Sequence, residues 1–464
     1  MPDSSTVDLH LNGHVAVLAF IASSHAAPLL SVVRHLALRS PSTQFSFFGT
    51  PSCNASVLSA YTREPSPWPS NLNVFHVWDG VPDGYEFIGK PHESADLFLA
   101  AAKESFENSM EIAVEECGRR ITCLITDAFF WFGREMAGEL GGVPWIPFWT
   151  AGANSLISHV YTDFLRERIG SGDVSGKEDE LLSMLPPLSK ARVSDLPEGV
   201  VTGWLDSKFS EMLRKMGIEL INADAVVINS FEELDPPCFS LLKSKFNRFL
   251  NIGPLDMVIP TPKPPDTHRC LEWLRDQSPG TVAYICFGTV MAPQQHELSA
   301  LAMALEEKKV PFIWSLKDAS RSCLPDGFME RTKAQGMVVA WAPQSKILAE
   351  EAVGVFITHC GWNSVLESIA GGVPMICRPF FGDQKLNARA VEDVWRIGVG
   401  VEGGKLTKGG VAECLEKVLW RESGRKMKES IMKLNDFAVK ATGEGGSSVN
   451  NLVTLSQMAM GLPL

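Results

Sequence analysis

The chain has 464 residues and a formal net charge of −12, with 45% hydrophobic and 21% charged residues. This length is enough for two domains, each with a core of its own, and the composition is ordinary for a globular protein. The acidic balance excludes long-range attraction to nucleic acid or to an anionic membrane. No apolar stretch reaches the roughly 18 residues that span a bilayer, and no signal-peptide pattern is present. A cytoplasmic protein without membrane insertion is therefore expected.

The first elements alternate between strand and helix. GHVAVLAF predicts a core strand, AAPLLSVVRHLALRS a helix and FSFFGT a second strand. His25 lies at the joint between the first strand and the helix, where open parallel sheets bind ligands. A lone histidine is more often structural than catalytic, but the dipole of a helix start favours the neutral imidazole that a general base requires. His25 is therefore a candidate base.

A second candidate, Asp127, follows the buried run ITCLIT. Its carboxylate could simply cap the next helix. It could instead lie beside His25 at adjacent strand ends and fix the tautomer of the imidazole, as in a hydrolase triad. The motif G-x-S-x-G is absent, so no serine nucleophile is expected and the pair would activate an external hydroxyl.

The middle of the chain continues the alternation and then changes in composition. After VPWIPF and the helix LISHVYTDFLRER, the irregular stretch 170–207 is of the kind that forms a functional rim or lid. The next predicted elements are the helix FSEMLRKMGIELI, the strand ADAVVINS, the helix FEELDPPCFSLLKSKF and the strand RFLNIG. Five prolines in residues 254–268 predict a semi-rigid linker. We therefore place one domain at 1–253, a second at 269–445 and a final amphipathic segment at 446–464.

The second domain repeats the pattern, with strands TVAYICFG, PFIWSL and MVVAW between predicted helices. Gly398-Val-Gly400-Val-Glu-Gly403 fits the dinucleotide fingerprint G-x-G-x-x-G. That fingerprint requires a strand before it and a helix directly after it. Here a predicted helix precedes the glycines and a short strand runs through them, so a nicotinamide-dependent oxidoreductase is not expected.

The segment 341–384 carries polar residues at the joints between short strands and helices. VGVFIT (353–358) predicts a buried strand, and the next residues predict a helix start, whose N–H groups and dipole attract phosphate. The residues with donors or close backbone approach at this joint are His359, Gly361, Asn363 and Ser364. Two local alternatives stay open. Ser364-x-x-Glu367 also fits a capping box, and Asp383 could be only the N-cap of the helix beginning QKLNARAVEDV.

The motifs W-A-P-Q, H-C-G-W-N-S, E, G-G-V-P and D-Q follow one another through this segment. In them the chain resembles the UDP-sugar-dependent glycosyltransferases of plants (family 1). GVPDGYEF, PFWTAGANS and VINSFEELD make it similar to the flavonoid and anthocyanidin 3-O-glucosyltransferases within that family. The resemblance implies an α/β protein with two facing Rossmann-like domains, the GT-B fold. It also implies acceptor binding mainly by the first domain, donor binding by the second, and a C-terminal helix that packs on the first.

The resemblance also implies roles for individual residues, with His25 as the base and Asp127 as its partner. Residues implied to bind uracil and ribose are Trp341, Ala342, Gln344 and Glu367. Those implied to bind the diphosphate are Thr289, His359, Asn363 and Ser364, with Ser24 nearby. Gly361 would let the donor approach the backbone. Those implied to bind the sugar are Thr150, Trp362, Asp383 and Gln384. Those implied to contact a flat aromatic acceptor are His92, Phe129, His159, Phe209 and Phe381.

The implied reaction is an inverting transfer of glucose from UDP-glucose to the 3-hydroxyl of a flavonol or anthocyanidin. UDP-glucose would be a cosubstrate, with no permanently bound cofactor, and the absence of an Asp-x-Asp motif agrees with metal independence. A monomer is expected. Gln384 favours glucose, whereas histidine at this place is typical of galactose transfer. Transfer of another sugar, transfer to another hydroxyl, and a non-catalytic flavonoid carrier remain alternatives. His92 and the joint FIASSHAAP depart from the usual pattern, which leaves the preferred acceptor open.

Overall fold

The computed structural model describes residues 13–61, 68–89, 93–259 and 265–463. These residues form two compact units, each built on a parallel β-sheet. Unit 1 contains the described residues of Met1–Ser175, Glu198–Pro262 and Ala441–Leu464, and unit 2 contains those of Gly176–Pro197 and Lys263–Lys440. Two α/β units with parallel sheets confirm the predicted fold class.

The sheet of unit 1 has seven parallel strands in the order β3-β2-β1-β4-β5-β6-β7. The strands are β1 (His14–Leu18), β2 (Gln44–Gly49), β3 (Leu72–His76), β4 (Cys123–Asp127), β5 (Trp145–Trp149), β6 (Val226–Ile228) and β7 (Phe249–Asn251). Every residue of β1, β4 and β5 is buried, as expected for strands covered on both faces. The strands predicted in GHVAVLAF, FSFFGT and ITCLIT are confirmed, whereas β3 is not among the predicted elements.

The helices of unit 1 range from one turn to the 25 residues of the third, which is also not among the predicted elements. They are α1 (Ser23–Arg39), α2 (Pro51–Leu58), α3 (Glu93–Cys117), α4 (Gly133–Glu139), α5 (Ala153–Val160), α6 (Thr162–Ile169), α7 (Lys208–Glu219), α8 (Pro236–Lys245) and α9 (Leu255–Val258). Helix α1 buries Leu29, Val33 and Leu36 in one core cluster with Val15 and Val17 of β1. Helix α1 therefore packs on the first strand through its apolar face.

The sheet of unit 2 has six parallel strands in the order β10-β9-β8-β11-β12-β13. The strands are β8 (Val282–Cys286), β9 (Phe312–Ser315), β10 (Gly336–Val339), β11 (Val353–Thr358), β12 (Met375–Cys377) and β13 (Gly398–Gly400). The predicted strand 353–358 is confirmed as β11. Strand β13 passes through the first glycines of Gly398–Gly403, so the structure agrees with the rejection of a dinucleotide fingerprint.

The helices of unit 2 follow its strands in the usual alternation. They are α10 (Cys270–Arg275), α11 (Gln295–Lys308), α12 (Phe328–Arg331), α13 (Gln344–Leu348), α14 (Trp362–Gly371), α15 (Gln384–Arg389), α16 (Lys408–Leu419) and α17 (Glu422–Thr442). A π-helical turn at Ala390–Val394 continues α15. The last helix of the chain, α18 (Ser447–Ala459), belongs to unit 1. No helix in the described ranges is long and apolar enough to span a membrane.

Each sheet has one point at which the order of its strands reverses. In unit 1 the chain builds outward from β1 on one side and from β4 on the other, and in unit 2 the same holds for β8 and β11. Ligands of open α/β sheets bind in the crevice outside the carboxyl ends of the two strands at such a point. The residues that follow β1, β4, β8 and β11 are therefore the first place to look for a site.

Several predicted features differ from the structure. The helix predicted over LISHVYTDFLRER is divided into α5 and α6, and the first residues of the predicted linker 254–268 form α9 of unit 1. The helix predicted over FEELDPPCFSLLKSKF begins only at Pro236, because Asp235 accepts a hydrogen bond from the Cys238 N–H and two prolines occupy the first turn. Residues 176–197 were assigned to the first domain, but they belong to unit 2. There Arg389 of α15 donates from Nε to Asp195 at 2.9 Å, an ion pair between residues far apart in the sequence.

Candidate active site

The first cluster of polar residues lies at the strand reversal of unit 1. His25 is in the first turn of α1, after β1, and Asp127 is the last residue of the neighbouring strand β4. Nδ1 of His25 lies 2.8 Å from Oδ2 of Asp127, and Oδ1 of Asp127 accepts the N–H of Phe129 at 2.9 Å. The Asp127 side chain is only 2% exposed, whereas that of His25 is 20% exposed. The imidazole is therefore fixed at Nδ1 by the buried carboxylate of Asp127, and the rest of the ring is partly exposed.

Thr150, directly after β5, adds a third member to this cluster. Its Oγ1 lies 3.0 Å from Nδ1 of His25, on the same nitrogen that faces Asp127. A carboxylate can only accept, so Nδ1 carries the proton and the lone pair is left on Nε2. An imidazole in this tautomer, with a buried carboxylate behind it, is arranged to remove a proton from a hydroxyl placed at Nε2.

Aromatic rings line the surroundings of His25. Its ring centroid lies 4.7 Å from that of Phe129 and 5.4 Å from that of Phe20. Phe129 in turn lies 6.0 Å from both Trp149 and Phe209, centroid to centroid. Rings at such distances and tilts form favourable edge contacts and leave an apolar wall that suits a flat aromatic ligand.

His159, in α5, extends this aromatic wall on the side of Trp149. Its ring lies 5.7 Å from that of Trp149, in an edge contact. Burial lowers the pKa of His159 to about 4, so the ring is neutral at neutral pH. Its Nδ1 is buried and has no hydrogen-bond partner among the described residues. A buried nitrogen in that state has capacity for a hydrogen bond with a ligand group.

The second cluster lies at the strand reversal of unit 2. Gly288 and Thr289 follow β8, and His359 follows the neighbouring strand β11. A Cβ atom added to Gly288 would come within 2.7 Å of Nε2 of His359, and one added to Gly361 within 2.5 Å. Only glycine at both positions leaves room for this imidazole. Burial lowers the pKa of His359 to about 4, so the ring presents a neutral N–H donor at neutral pH.

The start of α14 does not contain the capping box that the sequence left open as an alternative. Gly361 is the N-cap and no side chain caps the helix. Instead, Nε2 of Gln344 donates to Oγ of Ser364 at 3.0 Å and to Oε2 of Glu367 at 2.5 Å. Tyr284 of β8 donates its hydroxyl to Oε1 of Gln344 at 3.3 Å. Three of the residues predicted to bind UDP therefore form one network.

The loop after β12 forms a third part of the site in unit 2. Asp383 precedes α15 but does not cap it through its side chain. Its Oδ2 accepts from Nδ2 of Asn387 at 2.7 Å. Oε1 of Gln384 accepts the N–H groups of Phe380 at 2.8 Å and of Phe381 at 3.3 Å. The amide oxygen of Gln384 is thus used by the loop itself, which leaves its Nε2 as the group that can donate to a ligand.

The likeness to known proteins covers almost the whole chain. A family model described as UDP-glucoronosyl and UDP-glucosyl transferase matches residues 243–439. Over 446 residues the chain is 53% identical to an anthocyanidin 3-O-glucosyltransferase of Vitis vinifera, and the match covers 96% of each protein. The chain belongs to the UDP-dependent glycosyltransferases of plants.

Other relatives of this glycosyltransferase differ in the sugar that their names give. A flavonol 3-O-glucosyltransferase of Arabidopsis thaliana is 53% identical, with 95% of each protein covered. An anthocyanidin 3-O-galactosyltransferase of Actinidia chinensis var. chinensis is 48% identical, with 97% of each covered. A crystal structure of a UDP-glucose: anthocyanidin 3-O-glucosyltransferase in complex with UDP matches with a TM-score of 0.89 and 40% identity, covering 97% and 99% of the two chains. The glycosyltransferase has the GT-B fold.

The structure separates the predicted site residues of the glycosyltransferase into two groups. Those in unit 1 are Ser24, His25, Asp127, Phe129, Thr150, His159 and Phe209; those in unit 2 are Thr289, Trp341, Ala342, Gln344, His359, Gly361, Trp362, Asn363, Ser364, Glu367, Phe381, Asp383 and Gln384. His92 lies outside the described residues. Ser24, Thr289 and Asn363 are exposed, and Trp341 is exposed to 41%, as a stacking platform for a base would be. The side chain of Trp362 is buried, and its ring lies beside that of Trp395.

Several residues at these clusters were not predicted. Trp149 and Phe20 complete the aromatic wall, and Asn387 joins the loop of Asp383. Lys317 lies after β9 and donates from Nζ to the carbonyl of Thr289 at 2.7 Å, which brings a cation to the end of β8. Trp149 and Lys317 follow or end strands at the edge where ligands bind, so the rule that selected His25 could have selected them too.

Among the described residues, no group of three or more His, Cys, Asp and Glu side chains is placed to hold a metal ion.

Proposed function

We propose that the protein transfers glucose from UDP-glucose to the 3-hydroxyl of a flavonol or anthocyanidin, with inversion at the anomeric carbon. The observation that carries this proposal is the His25–Asp127 pair at the strand reversal of unit 1, with an open Nε2 and an aromatic wall beside it. The names of relatives that match nearly the full chain support the choice of sugar and acceptor.

In this proposal unit 2 holds the donor. Trp341 stacks on uracil, and Gln344 and Glu367, already joined by a hydrogen bond, face the ribose hydroxyls. The neutral N–H of His359 and the first N–H groups of α14 meet the diphosphate. Asp383 and Nε2 of Gln384 face the sugar. Lys317 adds positive charge near the same strand ends.

Unit 1 supplies the acceptor site and the base. A flat phenolic acceptor packs against Phe129 and Phe209, and His159 offers its unpaired Nδ1 to a hydroxyl at the far end of the acceptor. His92 and the joint before His25 differ from the usual family pattern, so they would affect which acceptor fits. In the proposal, Ser24 lies near the diphosphate of UDP-glucose and Thr150 contacts its sugar. Thr150 also holds the ring of His25 through its contact with Nδ1.

The chemical step follows from these placements. Nε2 of His25 removes the proton of the acceptor hydroxyl while its oxygen forms a bond to the anomeric carbon. The bond from that carbon to the β-phosphate oxygen breaks, and its electron pair leaves with UDP from the opposite face. Phenolic and enolic hydroxyls are acidic enough for one imidazole to serve as base, and the buried Asp127 stabilises the imidazolium that forms. The proton then passes to solvent.

The donor sugar is the finer part of the proposal. Gln384 favours glucose, and the relatives include both glucosyl- and galactosyltransferases. Because Oε1 of Gln384 already accepts two backbone N–H groups, only donation from Nε2 distinguishes the sugar hydroxyls here. Galactose transfer remains the second candidate.

A product assay tests the proposal. The purified protein is incubated with a flavonol and with UDP-glucose or UDP-galactose in EDTA, and the products are examined by mass spectrometry and NMR. We expect UDP and the 3-O-β-glucoside, with UDP-galactose much the poorer donor. Galactoside as the main product would contradict the role of Gln384. No product with any flavonoid, although UDP-glucose binds, would contradict the acceptor class and favour a carrier.

A further inference from the structure

Asn387, in α15, contacts two loops of unit 2 that are proposed to bind the donor. One follows β11 and contains Cys360, and the other follows β12 and contains Asp383. The side chain of Asn387 is fully buried. Its Nδ2 donates to the carbonyl of Cys360 at 3.0 Å and to Oδ2 of Asp383 at 2.7 Å. One amide group thus touches both the turn proposed to bind the diphosphate and the carboxylate proposed to bind the sugar.

The orientation of this amide follows from its neighbours. A backbone carbonyl and an ionised carboxylate can only accept, so both protons of Nδ2 must point at them. A flipped amide would place Oδ1 against two acceptors. In the observed orientation Oδ1 is buried and has no partner among the described residues, which is unfavourable by itself. The two bonds from Nδ2 are therefore what this position is built to make.

The hydrogen bond to Cys360 fixes the backbone of the turn at Cys360–Gly361, which is proposed to bind the diphosphate. Cys360 has a φ of 62°, in the left-handed region that non-glycine residues rarely adopt. Its carbonyl and the N–H of Gly361 belong to one planar peptide group and point in opposite directions. By holding the carbonyl of Cys360, Asn387 also aims the N–H of Gly361, the N-cap residue of α14.

The bond to Asp383 acts on the sugar loop. Asp383 does not cap α15 through its side chain, so its carboxylate owes its direction in part to Asn387, one helical turn further along. We propose that Asn387 is a positioning residue. It links the turn at Cys360–Gly361, proposed to bind the diphosphate, to the carboxylate of Asp383, proposed to bind the sugar. The two parts of the donor site then keep a fixed distance and orientation. This inference rests on the proposed function of unit 2 as the donor site.

The chain offers a matched control for this role. Asn435, in α17, also donates from Nδ2 to two acceptors in unit 2, the carbonyls of Ile369 at 3.2 Å and Ala370 at 2.7 Å. These carbonyls are at the far end of α14, away from Gly361. Replacement of either asparagine by alanine removes two comparable hydrogen bonds, but only one of the two faces the ligand loops.

The test compares Asn387→Ala, Asn387→Asp and Asn435→Ala in the full chain. UDP affinity is measured by calorimetry, and kcat and KM are measured with a flavonol and UDP-glucose or UDP-galactose. For Asn387→Ala we expect UDP binding weaker by about fivefold, the usual effect of one lost hydrogen bond. We expect kcat/KM for UDP-glucose to fall by roughly 25-fold, since two bonds are lost, and the preference between the two donors to narrow.

Asn387→Asp keeps the size of the side chain and faces Asp383 with a second carboxylate, so we expect a larger loss than with alanine. It also keeps the test valid if the alanine variant does not fold. Asn435→Ala should lower the unfolding temperature and leave UDP affinity and donor preference within about twofold of wild type. Wild-type UDP affinity and donor preference in both Asn387 variants, or equal losses in Asn435→Ala, would overturn the inference. A wild-type protein that binds no UDP would overturn the proposed function itself.

Discussion

His359 illustrates how neighbouring residues decide what a side chain can do. The imidazole fits only because Gly288 and Gly361 lack a Cβ, and its burial keeps it neutral. A neutral imidazole gives an N–H donor to a diphosphate without the cost of burying a charge. On the proposed function, the acidic chain needs no basic field to hold the diphosphate at this point.

Replacing Gly288 should displace His359. The new Cβ would come within 2.7 Å of Nε2, so Gly288→Ala should push the ring from its place and weaken UDP binding by roughly tenfold. Gly403→Ala is the matched control, because Gly403 also has a positive φ, of 63°, but a Cβ there meets nothing within 4 Å. Calorimetry with UDP checks both. Equal affinities for Gly288→Ala and the control would show that His359 does not contact the diphosphate.

Some single residues could be assigned from the sequence and others could not. His25 and Asp127 were paired correctly because both end neighbouring strands of a parallel sheet. The choice between a cap and a ligand at Glu367 could not be made, because the group that decides it, Gln344, lies 23 residues away in the sequence. Local spacing gave two answers there; the structure shows no capping box, and the ligand role of Glu367 stays a proposal.

At the scale of elements, α18 shows how the end of the chain contributes to unit 1. Leu452, Leu455 and Met458 are buried in the core cluster of that unit. Oγ of Ser448 donates to the carbonyl of Gly253 at 2.6 Å, and Nδ2 of Asn451 donates to that of Asn251 at 3.0 Å. The helix therefore packs beside β7 through an apolar face and two fixed hydrogen bonds.

Truncation of the apolar face of α18 should destabilise unit 1. Leu455 is 1% exposed, so Leu455→Ala should lower the free energy of unfolding by about 2–5 kcal/mol. Val453→Ala, in the same helix but 46% exposed, should change it by less than about 0.5 kcal/mol. Urea unfolding followed by circular dichroism compares the two. Equal destabilisation by both changes would mean that α18 does not pack as described.

Which elements could be predicted depended on how apolar they are. Strands such as β4 and β11 are continuous buried runs and were found. Helix α8 was predicted to start too early, because the acidic and apolar residues before Asp235 continue the helical pattern that Asp235 and its prolines interrupt. Hydrophobic periodicity is enough to identify a helix or strand. The first residue of helix α8, however, is set by the single capping side chain of Asp235.

At the scale of the molecule, the segment 176–197 shows the limit of prediction along the chain. It was assigned to the first domain because the residues on both sides of it belong there. Its contacts, including the pair of Asp195 with Arg389, place it in unit 2. The alternation of strands and helices was enough to predict two α/β units. The membership of an irregular stretch depends on a partner 194 residues away.

Histidines whose pKa values are lowered in the folded state should make the whole protein sensitive to mild acid. Burial lowers the pKa of His35, His159 and His359 to about 4, from an ordinary value of 6.5. Between these values the unfolded chain binds protons that the folded chain does not, so stability is complete above pH 6.5 and is lost as pH falls towards 4. His159 and His359 should each remove roughly 2 kcal/mol by pH 5, and His35, which is less deeply buried, should remove less.

Thermal unfolding at pH 7.5 and pH 5 checks this dependence, since ordinary carboxylates remain ionised over most of that range. His35→Leu, which removes one buried ring, should show a smaller fall in the unfolding temperature than wild type. His268→Leu, at an exposed position, should behave as wild type. A fall that is the same in all three proteins would mean that His35 takes no part in it.

The sharpest test of the proposed mechanism compares the turnover of His25→Ala with its affinity for UDP. The proposed base belongs to unit 1 and the proposed donor site to unit 2, so the two properties should separate. We expect kcat to fall by about 10²–10⁴-fold, the range for a lost general base, with UDP affinity unchanged. Ser23→Ala, an exposed neighbour in the same helix turn, should keep wild-type turnover and control for changes at the start of α1. Full turnover of His25→Ala would contradict the assignment of the base.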